Sequence, residues 1–350
     1  MIRALKKLQT IYFCLIRINW IHFFRLYDRN ATTILWYYPR FRKKFYMQSV
    51  ERDFAFIAGF LKNNEPFRIY FGRDIGKFHH KTIFYSVTKY YELFGFDNYA
   101  EILHHISKQL ESQGNRVYPT SHETLFWENK AFMHEEFDRL GINSPKTKII
   151  RSLDALHEVS GFTYPLLLKE PHSSSSMGLY KVHTPEELRS TIESQQLFLR
   201  NETLLVQELL NIRKDIRITT VGEEICSHYW RINQQKEWSS TATGYGSKVD
   251  FEFLPESCIP WIKETARKLN LTTAGFDVTW QNDDLTTPPI VLEVSPFYQP
   301  NPPADIGNHG TYGAYKKKLL FRNSWDKRFV DIVFDLQIST VTYFLQKNRT

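Results

Sequence analysis

The sequence predicts a mixed α+β protein that begins with a basic amphipathic helix. Short apolar segments of strand length, such as 166–169 and 204–206, alternate with longer segments that carry helix-capping residues. With 350 residues, of which 42% are hydrophobic and 24% charged, the chain has the composition of a soluble globular protein and is long enough for two or three subdomains.

The positive charge of the chain is concentrated at its N-terminal end. Residues 1–46 contain ten Lys or Arg and one acid, Asp28, which gives +9, whereas the whole chain has a net charge of +7. The other residues therefore sum to −2, and we do not expect a nucleic-acid-binding domain. Three widely spaced cysteines argue against a disulfide framework and fit a reducing compartment, so we expect a cytoplasmic protein.

The N-terminal segment has the pattern of a surface helix. Its longest apolar run, residues 11–16, ends at Arg17 without a small-residue cleavage site, and it is shorter than the roughly 20 apolar residues of a membrane span. A helical wheel separates a basic face from an apolar face that contains Leu5, Leu8, Tyr12, Leu15, Ile16, Trp20, Phe23 and Leu26. Two interpretations remain open: residues 1–29 contact an anionic membrane, at the periphery of its inner face, or the apolar stripe docks on the protein's own domain.

Capping and turn signals predict the elements that follow. Thr120 and Glu123 form a capping box, and Gly141 is placed to end that helix. Thr184 and Pro185 begin another helix. Apolar runs and turns predict a strand and turn at 67–72, a helix at 99–111, strands at 166–169 and 204–206, a hairpin of 215–221 with 225–232, a mobile polar loop at 233–248, a helix at 260–269, strands at 275–280 and 289–294, and a largely helical end at 313–346.

A candidate phosphate site follows the strand at 166–169. Lys169 ends this strand, and the small residues Ser174, Ser175, Ser176 and Gly178 come shortly after it. Such a lysine and loop can present an ammonium group and backbone N–H groups to phosphate oxygens, although a serine run is equally compatible with an ordinary loop. The residue order of a Walker loop is missing.

Asp277 and Glu293 form the sharpest candidate pair. Both lie within apolar segments that should be buried strands, and two neighbouring buried carboxylates require protons or a cation. Magnesium prefers oxygen ligands, and the hydroxyl of Ser295 faces the same side of the strand as Glu293. Arg217 and Arg231, on the paired strands of the hairpin, could stabilise a transferring phosphoryl group or form surface salt bridges. Arg231 is favoured because it precedes the polar loop.

Glu208 and Asp215 stand seven residues apart at the end of one strand and the start of the next. Carboxylates in such positions can accept hydrogen bonds from ribose hydroxyls, while the backbone between them holds an adenine edge. The alternative is an ordinary surface acid followed by an acid at the start of a strand.

The order of these segments resembles the ATP-grasp superfamily, and most closely its ribosomal-protein glutamate ligases, over about residues 125–300. Lys130 with the segment 141–145, Lys169 with the serine loop, and 206–208 with 215–217 resemble the family's two nucleotide lysines and its hinge. Segments 275–278 and 292–294 resemble its magnesium strands. Ser295 replaces the asparagine usual at that position, and Pro296–Pro300 replaces the usual Ser-Pro-Gly turn.

The resemblance implies two α+β subdomains that close on ATP after a small α/β domain. The implied boundaries are 1–46 for the basic arm, 47–125 for the small domain, 126–303 for the ATP-grasp domain with its lid at about 145–202, and 304–350 for a C-terminal helical segment. The implied cofactors are ATP and magnesium, with manganese as an alternative ion. The implied binding residues are Lys130, Lys169, Ser174, Ser175, Ser176, Gly178, Gln207, Glu208, Leu210 and Asp215 for ATP, and Asp277, Glu293 and Ser295 for the metal.

The implied activity is that of a carboxylate-amine ligase. ATP would activate a small-molecule or peptide carboxylate as an acyl phosphate, Arg231 or Arg217 would stabilise it, and an amine or other nucleophile would attack it. Two alternatives remain open: an ATP-grasp kinase that phosphorylates a small molecule, and a non-catalytic ATP-binding protein at a membrane surface. Nucleic acid is not an expected partner.

Overall fold

The computed structural model describes residues 2–37, 47–86, 99–173, 177–235, 238, 240–241, 247–250, 253–296, 298 and 327–347. The helices of this part are α1 (Ile2–Ile16), α2 (Trp20–Leu26), α3 (Met47–Lys62), α4 (Tyr99–Ser112), α5 (Ser121–Leu125), α6 (Lys130–Leu140), α7 (Pro185–Ser194), α8 (Leu197–Arg200), α9 (Cys258–Leu269) and α10 (Lys327–Gln346). The strands are β1 (Thr33–Tyr37), β2 (Phe67–Phe71), β3 (Thr82–Phe84), β4 (Arg116–Tyr118), β5 (Thr147–Ile150), β6 (Leu166–Lys169), β7 (Leu179–Val182), β8 (Leu204–Glu208), β9 (Lys214–Val221), β10 (Glu224–Ile232), β11 (Lys248–Asp250), β12 (Thr273–Thr279) and β13 (Ile290–Ser295).

The first part of the chain forms a parallel sheet of four strands in the order β2-β1-β3-β4. Strand β1 has a neighbour on each side, and its side chains at 34–36 are buried. Because packed elements cover both faces of this parallel sheet, Leu35 on one and Ile34 and Trp36 on the other, β1 needs a continuous apolar run. This strand lies within the stretch predicted as a basic arm, so the first domain of the structure includes it.

Three helices close one face of this sheet. Helix α3 packs against α10, from the far end of the chain, and α1 packs on both. Gly59 allows the close approach of α3 and α10, because a Cβ atom there would lie 2.7 Å from Cβ of Val341. In the described part of the chain, none of the helices has the length and apolarity that crossing a membrane would require.

Two antiparallel sheets follow and carry most of the candidate residues. The smaller has the order β5-β8-β6-β7 and shares a core with α7, whereas the larger has the order β11-β10-β9-β12-β13 and packs on α6 and α9. Lys169 ends a strand of the smaller sheet, while Asp215, Asp277 and Glu293 belong to the larger sheet. The site therefore depends on how these two sheets are positioned around α6.

The structure confirms the mixed α+β class and most of the local predictions. The hairpin turns at Gly222, Thr184 caps α7, and the Thr120–Glu123 capping box is present. One prediction was wrong, because the helix expected to run from Thr120 to Gly141 is two helices. The chain breaks at Glu128, which has φ +45°, and Asn129 starts α6 by accepting a hydrogen bond from the Phe132 backbone N–H.

Several predicted features lie outside the described residues. These are Ser174, Ser175 and Ser176, part of the polar loop at 233–248, most of the proline-rich stretch from 296 to 303, and the first part of the helical segment expected at 313–346.

We predict that Glu51→Gln stabilises the protein at pH 8. The Glu51 side chain, on α3, is 3% exposed, and its Oε1 atom has no hydrogen-bond partner among the described residues. Burial raises its pKa from 4.5 to about 8, against the opposing charge of Arg52. Because the folded state holds this proton more tightly than the unfolded state, the stability it contributes below pH 4.5 is lost as the pH rises towards 8.

Glutamine removes this titration, so we expect a gain of roughly 1–3 kcal/mol in the free energy of unfolding at pH 8 and little gain at pH 4. Urea unfolding at both pH values measures the difference. An equal effect of Glu51→Gln at the two pH values would contradict the titration of this carboxyl.

Candidate functional site

Two lysines from different elements meet at the centre of the site. Lys130, the first residue of α6, donates from Nζ to the Ser173 carbonyl and to its Oγ atom, the latter at 3.1 Å. Lys169, at the end of β6, donates to Oε1 of Gln207 on β8. Burial lowers the pKa of Lys169 to about 8, and the charge of Lys130 adds to this effect against the opposing charge of Glu293. The two ammonium groups are therefore close enough to repel each other.

Gln207 and His134 form the polar wall behind these lysines. Gln207 is 1% exposed, and its Nε2 atom donates to Oγ1 of Thr147 at 2.8 Å and lies 3.1 Å from Nε2 of His134. Burial lowers the pKa of His134 to about 3, and the charges of Lys169 and Lys130 lower it further in the same direction. The imidazole is therefore neutral and accepts the Gln207 hydrogen bond through Nε2. Its buried Nδ1 atom then has no hydrogen-bond partner within the described ranges.

The segment between Lys169 and Gly178 is held by a buried carboxylate. Glu170 is completely buried and accepts two hydrogen bonds of 2.8 Å from Arg200 and another of 2.8 Å from Asn201. Gly178 has φ +61°, and a Cβ atom there would lie 2.9 Å from the Glu170 side chain. The Glu170 N–H also donates to the Gly178 carbonyl at 2.9 Å. Both ends of the candidate phosphate loop are thus fixed by Glu170.

Four charged residues of the larger sheet form a buried network, which we call the Arg–Asp network: Asp215, Arg217, Arg231 and Asp277. Arg217 binds both oxygens of Asp277, and Arg231 binds both oxygens of Asp215. Nη2 of Arg231 also lies 2.7 Å from Oδ2 of Asp277, so it bridges the two acids.

Burial raises the pKa of Asp277, but Arg217 and Arg231 outweigh it and hold the value at about 2. The two positive and two negative charges cancel. This pairing follows from strand register, since Asp277 lies opposite Arg217, and Asp215 opposite Arg231.

The predicted metal ligands are divided between the Arg–Asp network and the neighbouring strand. Glu293 lies opposite Asp277 in the β12–β13 pairing, and Ser295 lies opposite Gly275. The carboxylate of Asp277 already accepts hydrogen bonds from two guanidinium groups, which would also repel a divalent cation. Within the described residues, no group of three or more His, Cys, Asp or Glu side chains could hold a metal ion. Asp277 as arranged here does not fit magnesium, and the metal site stays a prediction.

The predicted ribose acids do not lie in one environment. Oε1 of Glu208 accepts a 2.7 Å hydrogen bond from the Lys146 backbone N–H, and Leu210, two residues further on, is 7% exposed. Asp215 is 1% exposed and belongs to the Arg–Asp network, where Thr241 donates to its Oδ2 atom at 2.9 Å. The structure therefore brings Lys130, Lys169 and Gln207 together, and separately Asp215, Arg217, Arg231 and Asp277.

His134, Glu170 and Arg200 are among the residues of the site that were missed from the sequence. His134 follows Lys130 by four positions, the spacing that places two side chains on one face of a helix, and this signal could have found it. Glu170 directly follows Lys169, and nothing in the local sequence indicates that its carboxylate is buried and anchors the loop. Arg200 lies 30 residues from Glu170, and nothing local indicates that pairing.

We predict that Arg231→Gln lowers the free energy of unfolding by about 3 kcal/mol, because it leaves buried carboxylates without a compensating cation. Adding Asp215→Asn should recover much of this loss, since it removes one uncompensated negative charge. Urea unfolding of the single and double variants measures both effects. A double variant no more stable than Arg231→Gln would contradict charge balance as the source of the effect.

Comparison with known proteins places this site in a family. Residues 127–298 match the RimK-like ATP-grasp domain. Two curated relatives are the coenzyme γ-F420-2:α-L-glutamate ligase of Methanococcus maripaludis and the α-aminoadipate–LysW ligase LysX of Saccharolobus solfataricus. The first is 27% identical over 137 residues, which cover 37% of this chain and 46% of the relative. The second is 28% identical over 169 residues, which cover 45% and 58%. The chain spans about half the length of these two relatives.

Solved structures show the same fold. The RimK-domain ATP-grasp protein of Sphaerobacter thermophilus has a TM-score of 0.53 at 11% identity, and the match covers 89% of this chain and 99% of that chain. The D-alanine–D-alanine ligase of Bacillus anthracis, solved with ATP, has a TM-score of 0.53 at 13% identity and covers 91% and 100%. The resemblance expected from the sequence is thereby confirmed over residues 127–298, which match the RimK-like ATP-grasp domain.

Proposed function

We propose that this protein is an ATP-dependent carboxylate-amine ligase. One observation carries the proposal: in a domain that matches the RimK-like ATP-grasp family, the charge of Lys130 acts on the buried Lys169 and lowers its pKa, and Glu293 opposes this shift. Two partly buried cations that repel each other favour a ligand with several negative charges, and the phosphates of ATP supply these. The names of the two curated relatives, an L-glutamate ligase and an α-aminoadipate–LysW ligase, support the same reaction class.

The proposed reaction has two steps. The γ-phosphoryl group of ATP passes to a carboxylate oxygen of the substrate, giving ADP and an acyl phosphate. An amine then attacks the acyl carbon, inorganic phosphate leaves, and the amine loses a proton as the amide forms. The protein contributes positioning and charge, as expected for phosphoryl transfer.

Each group of the site has a role in this reaction. Lys130 and Lys169 would hold phosphate oxygens, and Glu170 would fix the loop beside them. Arg217 and Arg231 are the cations that would stabilise the acyl phosphate, because they lie on the same sheet as Glu293, whose charge acts on Lys169. Gln207, Glu208 and Leu210 lie at or just after the end of β8, where an adenosine group would follow from the predicted hinge. Magnesium, if bound with the phosphates, would neutralise further charge, and Glu293, opposite Asp277 in the sheet, is the carboxylate that would hold it.

A second candidate function is ATP binding without ligation. The observation that favours it is the pairing of Asp277 with Arg217 and Arg231, which occupies an acid that the family resemblance assigns to magnesium. An ATP-grasp kinase is a third candidate, and only its product separates it from a ligase.

We predict that ATP binds less tightly as the pH rises above 8. Lys169 has a pKa of about 8 in the free protein, whereas bound phosphate stabilises its charged form. Below pH 8 the ammonium is already present, but above it ATP binding must take up a proton. The affinity should therefore fall by up to about tenfold per pH unit above pH 8.

Isothermal titration at several pH values, in buffers of different ionisation enthalpy, measures both the affinity and the proton uptake. The matched control is Lys169→Arg, because a guanidinium stays charged throughout this range. An affinity of the natural protein that is constant between pH 7 and 9.5 would contradict the role of Lys169 in phosphate binding.

We predict substrate-dependent ADP release that Lys169→Ala abolishes. The assay contains purified protein, magnesium-ATP and pooled amino acids, small peptides and sugar acids, and mass spectrometry identifies the product. Lys148→Ala is the matched control, because Lys148 is a surface lysine of β5 that pairs with Glu158, and its replacement should leave the rate unchanged. Unchanged turnover in Lys169→Ala would reject the phosphate site.

The product decides among the three candidate functions. An amide formed with ADP and phosphate supports the ligase, whereas a stable phosphorylated product supports the kinase. Tight ATP binding without release of ADP from any pool supports the binding protein.

A further inference from the structure

The outward face of α1 and α2 is an exposed apolar surface. Thirteen large hydrophobic side chains are exposed in the described part of the chain, and eight of them lie between residues 8 and 27. We call this set the N-terminal apolar surface: Leu8, Tyr12, Leu15, Ile16, Trp20, Ile21, Phe24 and Tyr27. Ile21 is 87% exposed and Phe24 is 73% exposed, values that are unusual for side chains of this size. Single exposed hydrophobic residues need no explanation, but a contiguous set does.

This surface is not the side by which the helices attach to the protein. On the opposite side, Cys14 of α1 and Ile18, just after this helix, are buried in the core formed with α3 and α10. Arg17 strengthens the attachment through Asp331 and Asp335 of α10, at 3.4 and 3.1 Å. The helix is therefore docked, and its apolar stripe still faces outward. Of the two interpretations left open by the sequence, docking on the protein's own domain holds for Phe23 and Leu26 of the predicted stripe. It does not hold for the exposed side chains Leu8, Tyr12, Leu15 and Ile16.

The two helices form one continuous surface. The Trp20 indole N–H, at the start of α2, donates to the Leu15 carbonyl of α1 at 3.0 Å. The Trp20 ring also lies 5.3 Å from Phe23 and 6.5 Å from Phe24, measured between ring centroids. On α2, Phe23 faces inward and lies 5.3 Å from Phe67 of β2, which fixes the outward direction of Ile21 and Phe24. Trp20 thus joins the apolar faces of α1 and α2 at a fixed angle.

Charge complementarity favours an anionic partner for this surface. The exposed Arg25 and Arg29 lie beside the apolar side chains. In sequence, residues 1–46 carry a net charge of +9, with Asp28 as the single acid. Aromatic residues with a polar atom, here Trp20, Tyr12 and Tyr27, favour the boundary between hydrocarbon and water. A second copy of the chain would bring a surface of the same positive charge against this one, which repulsion disfavours.

We infer that α1 and α2 bind the protein to the surface of an anionic phospholipid bilayer. The apolar side chains would enter the headgroup region, while the lysines and arginines of residues 1–46 attract the negative lipids. The helices would lie along the bilayer surface. This inference rests on the first domain alone and is independent of the ligase activity.

Vesicle flotation with the full chain tests this inference. The probes are vesicles of phosphatidylcholine and vesicles of phosphatidylcholine mixed with phosphatidylglycerol. We expect binding to the mixed vesicles, weaker binding at high salt, and little binding to phosphatidylcholine alone. The double variant Ile21→Asp/Phe24→Asp should lose at least about tenfold in partition coefficient, because it removes two of the most exposed apolar side chains. Its control is Leu199→Asp, an equally exposed position on α8.

We expect both variants to fold, because neither replaces a buried side chain. Thermal unfolding of each variant checks this. Brominated lipids add a second measurement, since they should quench tryptophan fluorescence in the natural protein and much less in Trp20→Phe. Binding that is equal for the double variant and the natural protein would overturn the inference. A dimer in light scattering that the double variant dissociates, without vesicle binding by the natural protein, would instead identify a second copy as the partner.

Discussion

The candidate site depends on one electrostatic constraint, the closeness of the Lys130 and Lys169 ammonium groups. Lys130 donates to Ser173 and Lys169 donates to Gln207, and these two neutral residues orient the ammonium groups. Burial and repulsion by the charge of Lys130 lower the pKa of Lys169. An anion with several oxygens would relieve this repulsion. Helix α6 and strand β6 supply the two lysines that would contact it, and β8 supplies Gln207.

The sequence was sufficient wherever a local rule fixes the structure. Lys169 could be placed at a strand end because a short apolar run stops there, and the hairpin at Gly222 follows from turn chemistry. Thr120 and Thr184 were identified as helix starts because a hydroxyl and an acid three positions later form the cap. The orientation of the N-terminal segment, in contrast, could not be predicted from the sequence alone. This segment has apolar residues on both sides of α1, and periodicity alone could not tell that Cys14 and Ile18 dock while Leu8 and Tyr12 face outward.

The sequence was insufficient wherever function depends on register between distant strands. Asp277 and Arg217 are 60 residues apart, and they meet because β9 and β12 pair in one particular register. A shift of one residue would turn Asp277 to the other side of the sheet. The same limit applies to Glu170 and Arg200, and to the β1 strand within the basic N-terminal stretch. Burial of a carboxylate could be expected from its apolar neighbours, but its partner could not.

The Arg–Asp network affects both the stability of the larger sheet and the kind of ligand that this sheet could bind. Its four charges sum to zero, so the network is balanced without any bound ion, and a magnesium ion added at Asp277 would have to displace Arg217 or Arg231. A phosphate group changes this balance, because its oxygens compete with Asp277 for the same guanidinium groups. Because Arg217 and Arg231 both bind Asp277, a phosphate that drew one of them away would leave the other on this carboxylate. The network therefore favours an anionic ligand over a divalent cation at this end of the sheet.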